Sequence, residues 1–296
     1  MRERYEQWIV QYGRVYENET EKGKHFLIFE KHAKYIDAFN SDNSSNKTYT
    51  LALNAFSDLT DEEFFGLYTG SNTEFDSLTN TSIFTYNKTA NDIAPSVDWR
   101  TQGVVTPIKN QRGCGGCWAF ATVAALEGIY KIKTGISASF SEQSLIDCVH
   151  KNHGCSNGNM ANAYDYIKST GITVETIYPY EAKQGECRPK QPVLTIKDHK
   201  VVGPNDVNAL LAAVNQQPVS VNIDSTGIRH YSGGVYNGGC SSKINHDFTV
   251  IGYGPNYWLI KNSWGESWGE NGYMKLLRDE KLCPITSAPQ IPILKD

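Results

Sequence analysis

A chain of 296 residues with 40% hydrophobic and 11% aromatic side chains is long enough for one large or two modest cores and too apolar for wholesale disorder. The net charge of −4 divides into −6 over residues 1–92 and +2 over residues 93–296, so the two parts are expected to attract each other and acid to weaken that attraction. Lys and Arg are spread without a run, which gives no reason for a nucleic-acid partner, and no apolar run approaches the roughly 18 residues of a membrane helix, so no membrane partner is expected.

The N-terminal Met1-Arg2-Glu3-Arg4 lacks the apolar core of a secretory signal. Such a signal is expected to have been removed or to lie outside this sequence. Two amphipathic helices are predicted in the first segment, one beginning at Trp8, Ile9 and Tyr12, the other carrying Phe26, Phe29, Ala33, Ile36 and Phe39. Between about Gly70 and Asp92 a patternless stretch rich in Ser, Thr and Asn reads as a linker exposed to cleavage. Five N-x-[ST] sequons, at Asn18, Asn43, Asn46, Asn80 and Asn87, all precede Ile93. Their confinement points to a segment glycosylated during secretion and then discarded.

Helix formers run from Trp118 to Tyr130, with Phe120, Val123, Ala124 and Leu126 able to form an apolar stripe and Cys117 placed to cap the N-terminus. A second helix is expected at residues 141–147, where Ser141 suits an N-cap, and a third at 160–167. From Pro218 the pattern shifts to strands at 219–223, 246–253, 257–260 and 273–277, divided by Gly and Pro. A mainly helical lobe over about 93–200 followed by a mainly β lobe over about 201–296 makes the fold class α+β.

Seven cysteines are an odd number, which fits three bridges and one free thiol, although six cysteines alone allow 15 pairings. Cys114-x-x-Cys117 also carries a competing reading as half of a zinc site, with no second pair at ligand spacing nearby. The string Gln111-Arg112-Gly113-Cys114-Gly115-Gly116-Cys117-Trp118-Ala119-Phe120 stands upstream of Asn245-His246-Asp247 and Lys261-Asn262-Ser263-Trp264-Gly265. A thiol attacks an amide only as thiolate. A helix N-terminus and an imidazolium at His246 would both favour that anion, and Asn262 would orient the imidazole. A cysteine before a helix is more often structural, and a lone His more often ordinary core or surface. Separations of 129 residues from Cys117 to His246 and 145 to Asn262 favour the catalytic reading.

In these residues and spacings the chain resembles the papain-like cysteine proteases, with Gly116 where Ser or Ala is usual. The resemblance implies a cysteine endopeptidase zymogen that needs no metal or cofactor. It implies a two-lobed fold, one lobe helical and one β-barrel-like, with Cys117 and His246 on opposite walls of the cleft. Gln111 and the Cys117 amide would hold the oxyanion, and Trp264 would shield the His246–Asn262 hydrogen bond. It also pairs Cys114 with Cys155, Cys148 with Cys187, and Cys240 with Cys283. Glu21, Phe29, Ile36 and Asn40 resemble one propeptide signature, with His25 and His32 in place of Arg and Asn. Leu53-Asn54-Ala55-Phe56-Ser57-Asp58 resembles its companion, with Ala52 in the Gly position. Residues 1–92 then read as a mainly helical inhibitory propeptide lying through the cleft against the substrate direction. Residues 93–296 read as the catalytic domain, with maturation near Asp92. The two histidines are expected to loosen the propeptide as pH falls.

By register the substrate-binding residues are Gly158, Asn159, Met160, Asn222, Ile244, Asp247, Trp264 and Ala288, an unusually polar S2 pocket. After the catalytic His the family carries Ala or Gly; here it is Asp247. Strand alternation aims Asp247 into the pocket, where it would select a basic or hydrogen-bonding P2 group or, alternatively, turn to solvent at the rim. A carboxylate so placed would also be expected to favour the His246 imidazolium. Expected partners are peptide or protein substrates, the chain's own propeptide and cystatin-type inhibitors, acting on a monomer. The expected compartment is the secretory pathway, a vacuole or lysosome-like compartment, or the exterior. The altered pocket keeps two rivals in view: a transpeptidase or other non-hydrolytic thioester enzyme on this scaffold, and a binding or storage protein that has lost activity.

Overall fold

A computed structural model describes residues 1–43, 46–72, 81–86, 93–188, 190–241 and 243–295. The N-terminal segment begins with helices α1 (Arg2–Tyr12) and α2 (Glu19–Ser41), then strand β1 (Tyr49–Leu51), helix α3 (Asp61–Tyr68) and strand β2 (Ser82–Phe84). After β3 (Val97–Asp98) come three helices, α4 (Cys117–Thr134), α5 (Glu142–Cys148) and α6 (Met160–Ser169). The rest alternates: β4 (Ile196–Val202), α7 (Val207–Val214), β5 (Val219–Ile223), β6 (Tyr231–Tyr236), β7 (His246–Tyr253), β8 (Tyr257–Lys261), β9 (Tyr273–Leu277) and β10 (Gln290–Leu294).

The helix boundaries follow local chemistry. α1 stops where Gly13 takes a left-handed φ of 59°, and α2 starts where the Asn18 side chain accepts from the Glu21 amide. Tyr5 and Trp8 of α1 pack on Phe26, Phe29 and Ala33 of α2 to make a small core of their own. α3 was not anticipated, although Thr60 and Glu63 form a reciprocal capping box at its start. Cys117 is the first residue of α4 and not its cap, a position that Gly116 fills. Ser141 caps α5 as expected, accepting from the Ser144 amide.

Two further cores underlie the rest of the chain. One is formed by α4, α5 and α6 around Trp118, Leu126, Leu145, Ile146 and Tyr164. The other gathers Val221, Phe248, Val250, Trp258, Ile260, Trp264 and Trp268, and it also includes Phe56, Leu59 and Phe64 of the N-terminal segment. That segment is therefore part of the β-side core and not an appendage. The strands hydrogen-bond in the order β1-β6-β9-β8-β7-β5-β10-β4-β2, with β3 on β7. The path stays open, so the expected barrel-like lobe is an open sheet. Its first member, β1, and its last, β2, are both lent by the N-terminal segment.

Helix α7 and strands β4, β6 and β10 were not predicted. β2 lies inside the stretch expected to be a patternless linker, pairing in parallel with β4. Asn80, Asn87 and the expected maturation point at Asp92 fall outside the described residues, whereas Asn18, Asn43 and Asn46 are exposed. Disulfides join Cys114 to Cys155, Cys148 to Cys187, and Cys240 to Cys283. Cys117 is left free and buried. Because Cys114 is bonded, the zinc reading of Cys114-x-x-Cys117 falls. Each bridge closes a loop of about 40 residues, worth roughly 4 kcal/mol in the chain-entropy account.

Candidate active site

Cys117 heads α4, where the first-turn amides and the helix dipole face it. His246 opens β7, which packs on α4. Asn262 follows the end of β8, the antiparallel neighbour of β7. The sheet register thus brings His246 and Asn262 together: Nε2 of His246 lies 2.8 Å from Oδ1 of Asn262. An amide oxygen only accepts, so the ring proton sits on Nε2. Nδ1 is left bare, buried and without a partner. The ring packs on Trp264, centroids 4.5 Å apart.

Gln111 is fixed at both ends of its amide. Its Oε1 accepts from Ser263 Oγ at 2.7 Å, and its backbone N–H donates to Ser263 O at 2.8 Å. Its Nε2 donates to Cys114 O and to Tyr68 O, at 2.9 and 3.2 Å. Trp264 Nε1 donates to the same Tyr68 carbonyl at 3.1 Å. A backbone carbonyl of the N-terminal segment therefore already sits on the Gln111 amide.

Residues 68–72 continue along the cleft. Gly158 N donates to Gly70 O and Asn72 N donates to Gly158 O, each at 2.8 Å, while the amides of Gly70 and Ser71 both point at Asn245 O. The bridge between Ser71 and Gly158 is parallel. Asn159 caps α6 and donates to Asn72 O at 3.0 Å. Ser71 Oγ donates to Asp247 Oδ1 at 2.8 Å, and Asn222 Nδ2 donates to the same oxygen.

Of the pocket residues expected from register, Gly158, Asn159, Asn222 and Asp247 are thus brought onto this strand. Met160 belongs to the helical core, Ala288 is buried and Ile244 is half-buried. Asp247 is 1% exposed with the N-terminal segment in place. Its Oδ2 lies 3.9 Å from Cys117 Sγ.

Burial shifts the ionisation of the site's groups. Burial pushes the Cys117 thiol well above its ordinary value, and the Asp247 carboxylate adds to the shift. Burial pushes His246 down to about 4, against the bond to Asn262. Asp247 is itself pushed up to about 7 by burial, opposed by its hydrogen bonds. With the segment in place, both shifts run against a thiolate–imidazolium pair. Asp247 reaches the sulfur, and at the His246 ring burial outweighs the bond to Asn262. Ser71, the Tyr68 carbonyl and Ser263 were not anticipated. Ser263 lies within the Asn262–Trp264 string, whereas a backbone carbonyl carries no sequence signal.

The chain matches the description "Papain family cysteine protease" over residues 93–293 and "Cathepsin propeptide inhibitor domain (I29)" over residues 5–64. It is 40% identical to fruit bromelain of Ananas comosus, over 100% of this chain and 87% of that protein. It is 42% identical to papain of Carica papaya, over 93% of this chain and 80% of that protein. Among solved structures it resembles a recombinant stem bromelain precursor, with a TM-score of 0.91, 38% identity and 99% of each chain covered.

Proposed function

The chain belongs to the papain family of cysteine proteases, as a cysteine endopeptidase zymogen carrying its own inhibitory propeptide, and from that premise we propose how its residues do the work. Cys117 attacks the peptide carbonyl, and Gln111 with the Cys117 amide holds the oxyanion. His246 takes the thiol proton, protonates the leaving amine and then activates water. Asn262 orients His246. The observation that carries this reading is the 2.8 Å bond from His246 Nε2 to Asn262 Oδ1, which leaves Nδ1 free to take the proton of the free thiol. The three bridges and the relatives fit a secretory or vacuolar protein.

The S2 pocket is read as an acceptor site. Asp247 offers a carboxyl, Asn222 Oδ1 is buried without a partner, and the propeptide answers with the hydroxyl of Ser71. A P2 side chain that donates hydrogen bonds, or a basic one, satisfies these acceptors, and Leu leaves them unpaired at about 1–3 kcal/mol for each orphaned group. The test is acid activation of the proenzyme, a fluorogenic library varied at P2, and mass spectrometry of the products. Hydrolysis is expected, with P2 donors preferred over Leu by about tenfold or more, and Asp247→Ala with Asn222→Val should reverse that order. Ligated products would support the transpeptidase rival, and a Leu preference in the parent enzyme would sink the acceptor reading.

Propeptide release carries its own pH signature. Arg229 donates to Asp61 Oδ1 at 3.0 Å, to Phe56 O at 2.7 Å and to Leu59 O, and its guanidinium lies over Phe64. Beside it the rings of His32 and His230 meet at 4.8 Å, one from each side of the seam. Burial lowers both rings, and Arg229 lowers them further; Asp61 and the Ser57 carbonyl act the other way on His32. The released segment therefore binds more protons than the docked one. Docking is at full strength above roughly pH 6.5 and weakens as pH falls through that value toward the docked values. His25 does not share this role: its contact, with Asp58 at 3.4 Å, lies within the N-terminal segment and does not cross the seam. His32→Asn with His230→Leu is expected to shift the midpoint of acid activation downward by about half a unit or more, and His25→Arg to leave it in place. Identical activation profiles would refute the assignment.

A further inference from the structure

Asp247 makes a contact that neither the reaction nor the pocket requires. Its Oδ2 lies 3.9 Å from Cys117 Sγ, on a carboxyl that is 1% exposed. Its polar neighbours are Ser71 of the propeptide, Asn222 of β5 and Cys117 of α4, and none of them is a cation. His246 precedes it on β7, with its own ring bonded to Asn262. Lys109, Glu127, Glu142 and Lys261 line an internal cavity that Asp247 also reaches. Lys109 is paired there with Glu127 and Glu142 at 3.0 and 2.8 Å, and Lys261 donates to Thr106.

The attacking species forms when the S–H bond of Cys117 breaks and an N–H bond forms at Nδ1 of His246, leaving sulfur negative and the ring positive. A second negative charge at this distance from the sulfur opposes that transfer, and a protonated carboxyl can donate to the sulfur and favour it. We propose that Asp247 is a tuning residue for the reaction: its carboxylate withholds the Cys117 thiolate, so that the site works only while the carboxyl carries a proton. The inference rests on the reading of Cys117 as nucleophile. With the propeptide in place burial pushes the ionisation of this carboxyl up to about 7; release removes Ser71 and uncovers the carboxyl but leaves Asn222 and Cys117 beside it. The upper limb of activity then reports Asp247, with the lower limb independent of it.

The full chain is acid-activated as wild type, Asp247→Asn and Asp247→Ala. Iodoacetamide alkylation of Cys117 is followed by mass spectrometry from pH 4 to 9, alongside kcat/KM for one peptide. In the wild type, alkylation is expected to fall as pH rises through the Asp247 ionisation, at or below about 7 once the covering segment has left. In both variants it should be about tenfold or more faster at pH 8, and the upper limb of kcat/KM should move up by about one unit or more, with the lower limb unmoved. Asn keeps the shape of the carboxyl and the acceptor oxygen that Asn222 uses, and Ala is the small residue usual at this position, so either variant that activates gives an answer. Superimposed profiles with peptide cleavage intact would overturn the tuning role, as would a limb that moves down. A shifted alkylation profile without cleavage in any protein would uphold the tuning and overturn the peptidase reading.

Discussion

Cys117→Ala is expected to remove peptide cleavage while leaving the proenzyme folded. The residue is the chain's one free cysteine, so no bridge is lost, and its side chain is fully buried at the head of α4. Trimming one sulfur there costs a fraction of the fold's stability. Activity should fall by about 10⁵-fold or more, to the residue left by oxyanion donors and substrate binding alone. His246→Ala should fall by a similar factor, and the double variant no further, because nucleophile and base act as one unit. Gln111→Ala should lose about 10²–10³ in kcat, the usual cost of one oxyanion donor. Labelling by a thiol-directed epoxide gives a second readout, expected at Cys117 in the activated wild type and absent from Cys117→Ala. Sustained cleavage by Cys117→Ala would remove Cys117 from the nucleophile's role.

The elements that carry the chemistry were legible because their patterns are local. A Ser cap marked α5, helix formers marked α4, and runs of strand formers divided by Gly and Pro marked β5, β7 and β8. The elements missed owe their state to distant partners. β6 reads Tyr-Ser-Gly-Gly-Val-Tyr, poor strand material, and extends because β1 and β9 flank it. β4 and β10 pair with each other. α3 and α7 were legible in principle, through the Thr60 capping box and the Asp206 cap. At the site, alternation along β7 aimed Asp247 inward, but the atom it meets lies across the cleft on α4, 130 residues earlier. That contact joins residues far apart in the chain, so a reading along one strand could not foresee it.

Gly70→Ala is expected to destroy latency without touching the mature enzyme. A Cβ at Gly70 would stand 2.0 Å from the carbonyl oxygen of Gly115, and a Cβ at Gly115 would stand 2.4 Å from Thr69 O. Two backbones therefore pass in direct contact, and neither glycine tolerates a methyl group while the other stays in place. Backbone atoms cannot swing aside as a long side chain can, so residues 69–72 must leave the cleft. Their backbone bonds to Gly158 and Asn245, with the Ser71–Asp247 bond, leave with them. At about 0.5–1.5 kcal/mol net for each, the loss is about 2.5–7.5 kcal/mol, or roughly fiftyfold or more in occupancy of the blocked state. The helical part of the propeptide keeps its Arg229 seam and its share of the β-side core, so the segment stays tethered while the site opens. The proenzyme should then hydrolyse a small fluorogenic peptide at neutral pH and mature earlier on acidification. Gly66→Ala, where a Cβ meets nothing within 4 Å, is the matched control and should stay latent. Equal latency in the two variants would show that inhibition resides in the helical seam and not in the strand through the cleft.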